Sequence, residues 1–252
     1  MPINLDHIDL ATIDKRIDKS NIKIDVGLAI DAPHSAHWLL TEPTSLVIGV
    51  EPHPGNVETL RRGRTTPELD FPYLIMDENA ICKQGLKIGT YDPSRFVLIE
   101  GAVDNVGNTP TTMDFYCTAA TNSGCSSLLK PTPLLRHKIE SKIKVDVYSL
   151  EYILDQLGFQ DVEGIRFVKT DTQGKDFDVV KSLGKYLPRV LALKCEHNIA
   201  DQYEGANSFE EFQEYMTQNR FQLVYNNGWD AHFFNLRYRI TGGSPFNLPS
   251  GI

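Results

Sequence analysis

Two short segments carry side chains suited to holding an adenosine. Asp25-Val26-Gly27 closes an apolar run that starts at Ile22, and Glu51-Pro52 closes a second run, Val47-Ile48-Gly49-Val50. Gly27 has no Cβ, so a ligand can approach its backbone, and the Asp25 carboxylate can accept from an amino group or order the loop. Glu51 follows Gly27 by 24 residues. That is near the roughly 20-residue separation at which an acidic side chain meets the ribose hydroxyls of an adenine cofactor. A carboxylate can accept from both hydroxyls at once, and Pro52 stiffens the turn that presents it.

The intervening loop distinguishes between adenine cofactors. A dinucleotide needs a Gly-x-Gly-x-x-Gly turn to seat its pyrophosphate on a helix N-terminus. This loop reads Gly27-Leu28-Ala29-Ile30-Asp31-Ala32, with one glycine and with Asp31 where a phosphate would be repelled. S-adenosylmethionine has no phosphate, and its sulfonium and ammonium are cationic, so Asp25 and Asp31 are favourable neighbours for it. Leu28 belongs to the same cofactor loop. A third run ends Glu100-Gly101-Ala102-Val103-Asp104. Gly101, Ala102 and Val103 leave room for a flat adenine, and Asp77, Glu100 and Asp104 are equal candidates to meet its amino group.

A second group of titratable residues closes two later runs. Phe167-Val168-Lys169-Thr170-Asp171 leads into Thr172-Gln173-Gly174, and another run ends Lys194-Cys195-Glu196-His197. Adjacent strands ending in Asp171 and in Glu196-His197 bring groups to one rim where a substrate hydroxyl could lose its proton, with Asp171 or His197 as the base. Asp171 could equally cap the next helix, and His197 could be an ordinary surface imidazole. Asp171 and Glu196 show no recognisable metal-ligand spacing, so no metal is expected.

Elements that could position these residues alternate along the chain as in a parallel sheet wrapped by helices. Strands are expected at Ile22-Val26, Ser45-Val50, Phe96-Glu100, Ile165-Thr170 and Val190-Cys195. Helical spacing marks Ala36-Thr41, Gly55-Arg62, Leu150-Leu157 and Asp176-Leu183. Ser35 is a good N-cap, which would leave His34 and His37 flanking a helix start, although either could contact substrate. Ser208 and Glu211 form a capping box ahead of another helix. Phe221-Tyr225 and Ala231-Tyr238, separated by Asn226-Asn227-Gly228, read as a hairpin. An α/β sheet that ends in an antiparallel hairpin departs from the plain dinucleotide topology and looks like the Rossmann-like seven-stranded methyltransferase sheet. Residues 105-144 interrupt the alternation with Thr, Ser, Pro and Asn. They are expected to hold a short strand near Met113-Cys117 and part of a substrate lid.

One domain over residues 1-252 fits the length, with an N-terminal extension 1-20 and a loosely ordered tail 241-252. The formal net charge of −8 removes the usual electrostatic warrant for nucleic acid or an anionic membrane and favours a small or neutral acceptor. The four cysteines, Cys82, Cys117, Cys125 and Cys195, lack CxxC spacing and read as free thiols of a reducing cytoplasm. The N-terminus has no apolar core of a secretory signal, and no run approaches the length of a membrane span. The oligomeric state is not legible.

The motifs together resemble the FkbM-type S-adenosylmethionine-dependent methyltransferases. The resemblance rests on Ile24-Asp25-Val26-Gly27, on Val47-Ile48-Gly49-Val50-Glu51-Pro52 with Asn56 and Leu60, and on Ala102-Val103-Asp104-Asn105. It continues through Val145-Asp146-Val147-Tyr148-Ser149-Leu150, through Phe167-Val168-Lys169-Thr170-Asp171-Thr172-Gln173-Gly174 with Val179-Val180-Lys181, and ends at Glu196. It covers about residues 22 to 238, and the Lys-x-Asp-x-Gln-Gly segment is its most specific part. The resemblance implies a seven-stranded Rossmann-like fold and O-methylation of hydroxyls on sugars, polyketides or related small molecules. It also implies cofactor positions at Asp25, Gly27 and Glu51, with Asp171 on the floor of the site. Where the family commonly reads Asp-Val-Gly-Ala-Asn-Ile-Gly, this chain has Asp31 in place of the second glycine. The competing readings are a nicotinamide-dependent oxidoreductase, disfavoured by the missing glycines, and a binding module that has kept the fold without turnover.

Overall fold

A computed structural model describes residues 21–62, 93–118, 124–197 and 200–239. Asp77, Cys82, the extension 1–20 and the tail 241–252 lie outside them. The strands are β1 (Ile22–Val26), β2 (Leu46–Glu51), β3 (Phe96–Glu100), β4 (Ala102–Val103), β5 (Thr111–Thr118), β6 (Ile139–Tyr148), β7 (Ile165–Thr170), β8 (Val190–Glu196), β9 (Phe221–Asn226) and β10 (Asp230–Asn235). The helices are α1 (Pro33–Thr41), α2 (Pro54–Arg62), α3 (Leu150–Gln156), α4 (Asp176–Lys181) and α5 (Phe209–Gln218).

Seven strands form one sheet in the order β3-β2-β1-β7-β8-β10-β9. The first five are mutually parallel, and β10 runs antiparallel to both β8 and β9. This is the Rossmann-like methyltransferase sheet with the expected C-terminal hairpin. Residues of β1 and β2 are buried on both faces; β2 is accordingly a near-continuous apolar run, whereas β1 alternates and buries Lys23 and Asp25 in ion pairs with Glu42 and Lys169. Successive side chains supply two cores, as the two-residue period of a strand requires. Ile48 and Val50 join a cluster with α3, α4 and α5, whereas Val47 packs with Trp38 and Leu39 of α1 and with Val57 and Leu60 of α2.

Segment 105–144 is more regular than its composition suggested. The strand expected near Met113-Cys117 is β5, which pairs antiparallel with β6 along almost its whole length, and β4 completes a three-stranded sheet. Phe115, Cys117, Val145 and Val147 bury their side chains together with Ala102. The opposite face of β6 carries Glu140, Lys142 and Lys144, and that half-charged pattern hides the strand in the sequence.

The first helix starts earlier than Ser35 suggested. Ala32 is the N-cap, in left-handed conformation with φ 43°, and Pro33 opens the helix, a position where its missing N–H costs nothing. Ser35 sits inside the first turn, where its N–H and Oγ donate to Asp25 Oδ2 at 3.1 and 2.7 Å. Capping therefore comes from the end of the neighbouring strand. The box at Ser208 forms as read, with Glu211 N donating to Ser208 Oγ at 3.2 Å and Ser208 N to Glu211 Oε2 at 3.4 Å. The hairpin's second strand ends at Asn235, short of Tyr238, because Asn235 is buried and donates its amide to the Val190 carbonyl at 2.8 Å while the chain turns into a 3₁₀ segment.

Candidate functional site

In an open α/β sheet the crevice lies beyond the carboxyl ends of the strands, where the strand order reverses. Here that point is between β1 and β7. Ladder bonding continues past the strand ends: Gly27 N donates to Val50 O at 3.0 Å, Asp171 N to Val26 O at 3.0 Å, and Gly101 N to Glu51 O at 3.1 Å. These three bonds bring the four strand ends to one open cleft, at the place in the sheet where ligands bind in open α/β folds.

The cleft is lined by Gly27 and Ala29 after β1, by Glu51 and Pro52 after β2, and by Gly101, Ala102 and Val103 after β3. Asp171, Thr172 and Lys175 line it after β7. Six of the cofactor candidates (Gly27, Glu51, Pro52, Gly101, Ala102 and Val103) thus meet around one space with Asp171. Leu28 does not face it, because its side chain is buried in the core of α1 and α2. Asp25 also stays out of the cleft, held beneath the loop by Ser35 on Oδ2 and by the Lys169 ammonium beside Oδ1, and Asp31 is buried away from the lining. Burial pushes the Asp31 carboxyl up to about 6.

Gly27 is required for a reason other than ligand approach. Its φ is +80°, and a Cβ there would fall 1.9 Å from the carbonyl oxygen of Asp171. The glycine lets two strand ends touch. Farther along, the loop turns through Ala29 and Ala32, both at positive φ, where alanine costs roughly 1–2 kcal/mol per residue. Hydrogen bonds hold them there, from Ala29 N to Glu51 Oε2 at 2.9 Å and from Ala32 N to Leu28 O at 3.1 Å.

Glu51 is accordingly a busier acceptor than its spacing implied. Besides Ala29 N, it accepts from His53 N at 2.8 Å and from Asn56 Nδ2 at 3.2 Å, both on Oε1. A carboxylate has about four lone-pair sites, so three protein donors leave room for about one ribose hydroxyl, not the two the sequence suggested. Burial pushes the Glu51 carboxyl up to about 7 against the pull of its His53, Asn56 and Ala29 donors.

Beneath the cleft lies an ion cluster centred on Lys169. Its ammonium donates to Gly27 O at 2.6 Å and lies 3.2 Å from Asp25 Oδ1 and 3.8 Å from Asp171 Oδ2. Burial alone would lower this lysine's pKa, but the Asp25 and Asp171 carboxylates outweigh it and raise it. Burial would likewise raise the Asp171 carboxyl, but Lys169, aided by donors on Gln173 and Glu196, holds it below the ordinary range. Asp171 therefore presents a negative charge to the cleft, with 41% of its side chain exposed.

Glu196 and His197 border a second, smaller recess of about 310 Å³, shared with Asp176, Phe177 and Phe209. Burial and the neighbouring Asp171 and Asp176 carboxylates push the Glu196 carboxyl well above the ordinary carboxylate range. His197 is turned from the main cleft: its ring stacks on Phe209 at 4.0 Å and its Nε2 meets Asn226 Oδ1 at 3.0 Å. The structure brings Asp171 and Glu196 together through Gln173, but does not bring His197 to the same space. His34 and His37 lie within α1, outside the cleft lining. Glu100 pairs with Arg61 at 3.0 Å and Asp104 with Lys175 at 2.9 Å.

Several lining residues went unread in the sequence. Phe115, Ser126 and Leu128 reach the cleft from the three-stranded sheet and the chain that follows β5, and only tertiary pairing brings them there. Lys169 did carry a signal, since a lysine inside an otherwise apolar strand needs a buried partner. Among the described residues no group of three His, Cys, Asp or Glu side chains is arranged to hold a metal ion, and no helix is long and apolar enough to cross a membrane.

None of the curated proteins compared with the chain matches it. The model of the methyltransferase FkbM domain matches residues 25–223, a span that begins at the carboxylate under the first loop and takes in every strand end around the cleft. The chain belongs to the FkbM methyltransferase family.

Proposed function

We propose that this methyltransferase uses S-adenosylmethionine to methylate a hydroxyl of a small molecule or glycan, with Asp171 accepting the proton. The observation that carries the reading is a single cleft with an acceptor carboxylate, Glu51, at one strand end and the anionic Asp171 at another, with no unpaired cation among its described lining residues. Lys175, the lysine that lines it, is neutralised by Asp104 at 2.9 Å and Asp178 at 2.7 Å. This suits a cationic sulfonium and a ribose, and offers nothing to a pyrophosphate. Ala102, Val103, Phe115 and Leu128 give a flat base apolar walls.

When bound, the cofactor supplies a methyl group already activated by the sulfonium. The residues of the chain contribute alignment and exclusion of water. Asp171 would take the proton of an acceptor hydroxyl seated at the rim of the cleft, a proton that becomes strongly acidic once its oxygen is alkylated. A weak base such as the ion-paired Asp171 is then sufficient. His197 is disfavoured for this role because its ring faces the other recess.

Thermal unfolding with S-adenosylhomocysteine, with NAD and with buffer tests the assignment. Saturation at about 100 times Kd stabilises by about 2.7 kcal/mol, which is about 5–10 °C for a chain of this size. Only S-adenosylhomocysteine is expected to give that rise. Stabilisation by NAD alone would replace the reading with the oxidoreductase.

Glu51 makes the binding depend on pH in a defined direction. Burial raises its carboxyl to about 7 in the free protein, and a ribose hydroxyl donates more strongly to the ionised carboxylate than to the protonated acid. Affinity for S-adenosylhomocysteine is expected to fall as pH drops below that value, by up to about tenfold per unit, with proton release on binding. Calorimetry in two buffers of different ionisation heat reads that proton. Glu51→Gln is expected to weaken binding and remove the pH dependence; an unchanged slope in this variant would exclude Glu51 as its source.

A further inference from the structure

Gln173 stands between the cofactor cleft and the second recess. Its Nε2 donates to Asp171 Oδ1 at 2.9 Å and to Glu196 Oε2 at 2.6 Å, and its Oε1 accepts from the Tyr203 hydroxyl at 3.0 Å. One amide nitrogen thus holds two carboxylates side by side, Asp171 at the cleft and Glu196 at the recess. A third acid, Asp176, opens α4 and lines the recess as well. Asp176 is 4% exposed. Its Oδ2 accepts from Thr172 N and Oγ1 at 3.4 and 3.2 Å. Its Oδ1 has no hydrogen-bond partner, and neither has the buried Thr170 hydroxyl.

A buried charge needs a partner, and the lysines around the recess are already committed. Lys169 pairs with Asp25 and Asp171, Lys175 with Asp104 and Asp178, Lys181 with Asp178, and Lys194 with Asp230. Among the described residues neither Asp176 nor Glu196 is ion-paired to a lysine or arginine, and Lys169 acts on Asp176 only at longer range. The rest of the wall is aromatic: Phe177, Phe209 and Phe212, with the His197 ring stacked on Phe209 at 4.0 Å. An anion would be repelled by the two acids, and no described group of three ligating side chains is arranged for a metal ion. An organic ammonium suits both halves of the lining, donating to the carboxylates and lying against ring faces.

We propose that the second recess binds the ammonium group of the methyl acceptor, which is therefore an amine-bearing alcohol such as an amino sugar or an amino alcohol. Asp176 Oδ1 and Glu196 receive the ammonium, and the hydroxyl reaches Asp171 across the Gln173 amide. Because a single amide separates the two carboxylates, the amine and the reacting hydroxyl are only a few bonds apart. The inference rests on the reading of Asp171 as the proton acceptor, but the ammonium site itself can be tested without methyl transfer.

The probe is 2-amino-1-phenylethanol, with 1-phenylethanol as its neutral counterpart, each titrated into the isotope-labelled full chain and followed by amide NMR. S-adenosylhomocysteine binding is measured by calorimetry on the same samples. The amine is expected to shift the amides of Gly174, Asn207 and Ser208 together with those of Asp171 and Thr172. It is expected to bind about tenfold more tightly than the neutral alcohol, or better. Asp176→Asn keeps an oxygen for Thr172 but loses the charge, and should remove that preference; Glu196→Gln makes the same test if the first variant does not fold. No binding of the amine, equal affinity for the two probes, or a preference that survives in the folded variants overturns the proposal. Shifts confined to the amides of the recess overturn it as well, because the hydroxyl would then lie away from Asp171. If S-adenosylhomocysteine fails to bind while the amine behaves as expected, the cofactor reading fails and the ammonium site stands.

Discussion

Gly27→Ala is expected to unfold the floor of the cleft and to abolish binding of S-adenosylhomocysteine. The added Cβ would meet the Asp171 carbonyl at 1.9 Å, and the contact is backbone against backbone, so no side chain can rotate away. The strand ends must separate. That breaks the Asp171 N to Val26 O and Gly27 N to Val50 O bonds, and alanine is also disfavoured at the +80° φ of this position. The combined cost is on the order of 3 kcal/mol or more, about 6–12 °C in Tm for a chain of this length. Calorimetric unfolding of the ligand-free variant measures it. A variant that melts with the parent would show that the loop can relocate freely, contrary to the contact described.

Lys169→Met is the second large effect, and it has a built-in control. Removing the ammonium strands the Asp25 carboxylate, which is 1% exposed and left with donors from Ser35 alone. Breaking one partner out of a buried pair costs about 3–5 kcal/mol. Asp25→Asn in the same chain removes the orphaned charge, so the double variant should recover a large part of the loss, and the difference from additivity gives the coupling. Denaturant unfolding of the four proteins of the cycle provides the numbers; purely additive losses would mean that the two charges do not interact. The pH dependence has a definite sign. Because the folded-state pKa of Lys169 is raised from its ordinary 10.5, its contribution is complete below that value. It disappears only as pH climbs through the raised pKa. Both variants should therefore differ from the parent equally throughout the neutral range.

The framework of the parallel sheet was readable because its strands are short runs rich in Ile, Val and Phe closed by a polar residue, and β1, β3 and β7 begin and end where those runs do even though Lys23, Asp25, Arg166 and Lys169 interrupt them. The hairpin was readable from turn chemistry: Gly228 takes φ +90° and the Asn227 side chain accepts from Trp229 N and Asp230 N. The second sheet was obscured because one face of β6 is charged and twenty residues separate it from its partner β5. In the site, Gly27 and Glu51 could be located by spacing, but not the work they do for the protein itself. Gly27 accommodates a neighbouring strand, and Glu51 spends three of its acceptor sites on the loop and on α2. Both are long-range facts, invisible to local pattern. Ser35 illustrates the same limit at short range. It has the right chemistry for a cap, and the role it actually plays depends on a carboxylate ten residues away that only the folded strand brings to it.

The bond from Lys169 to the Gly27 carbonyl spans 142 residues, and this governs when during synthesis the protein acquires its site. β1 is made well before β7 and can pair with β2, which follows it closely, yet its other edge stays unpaired until β7 has been made. For that interval the half-built sheet exposes an open edge of the kind that recruits foreign strands. Long-range pairing of this sort also slows folding. The first loop cannot close, and no ligand can shelter it, before the last third of the chain arrives. The period of greatest vulnerability to aggregation is thus set by topology, by the interval between the synthesis of β1 and that of β7.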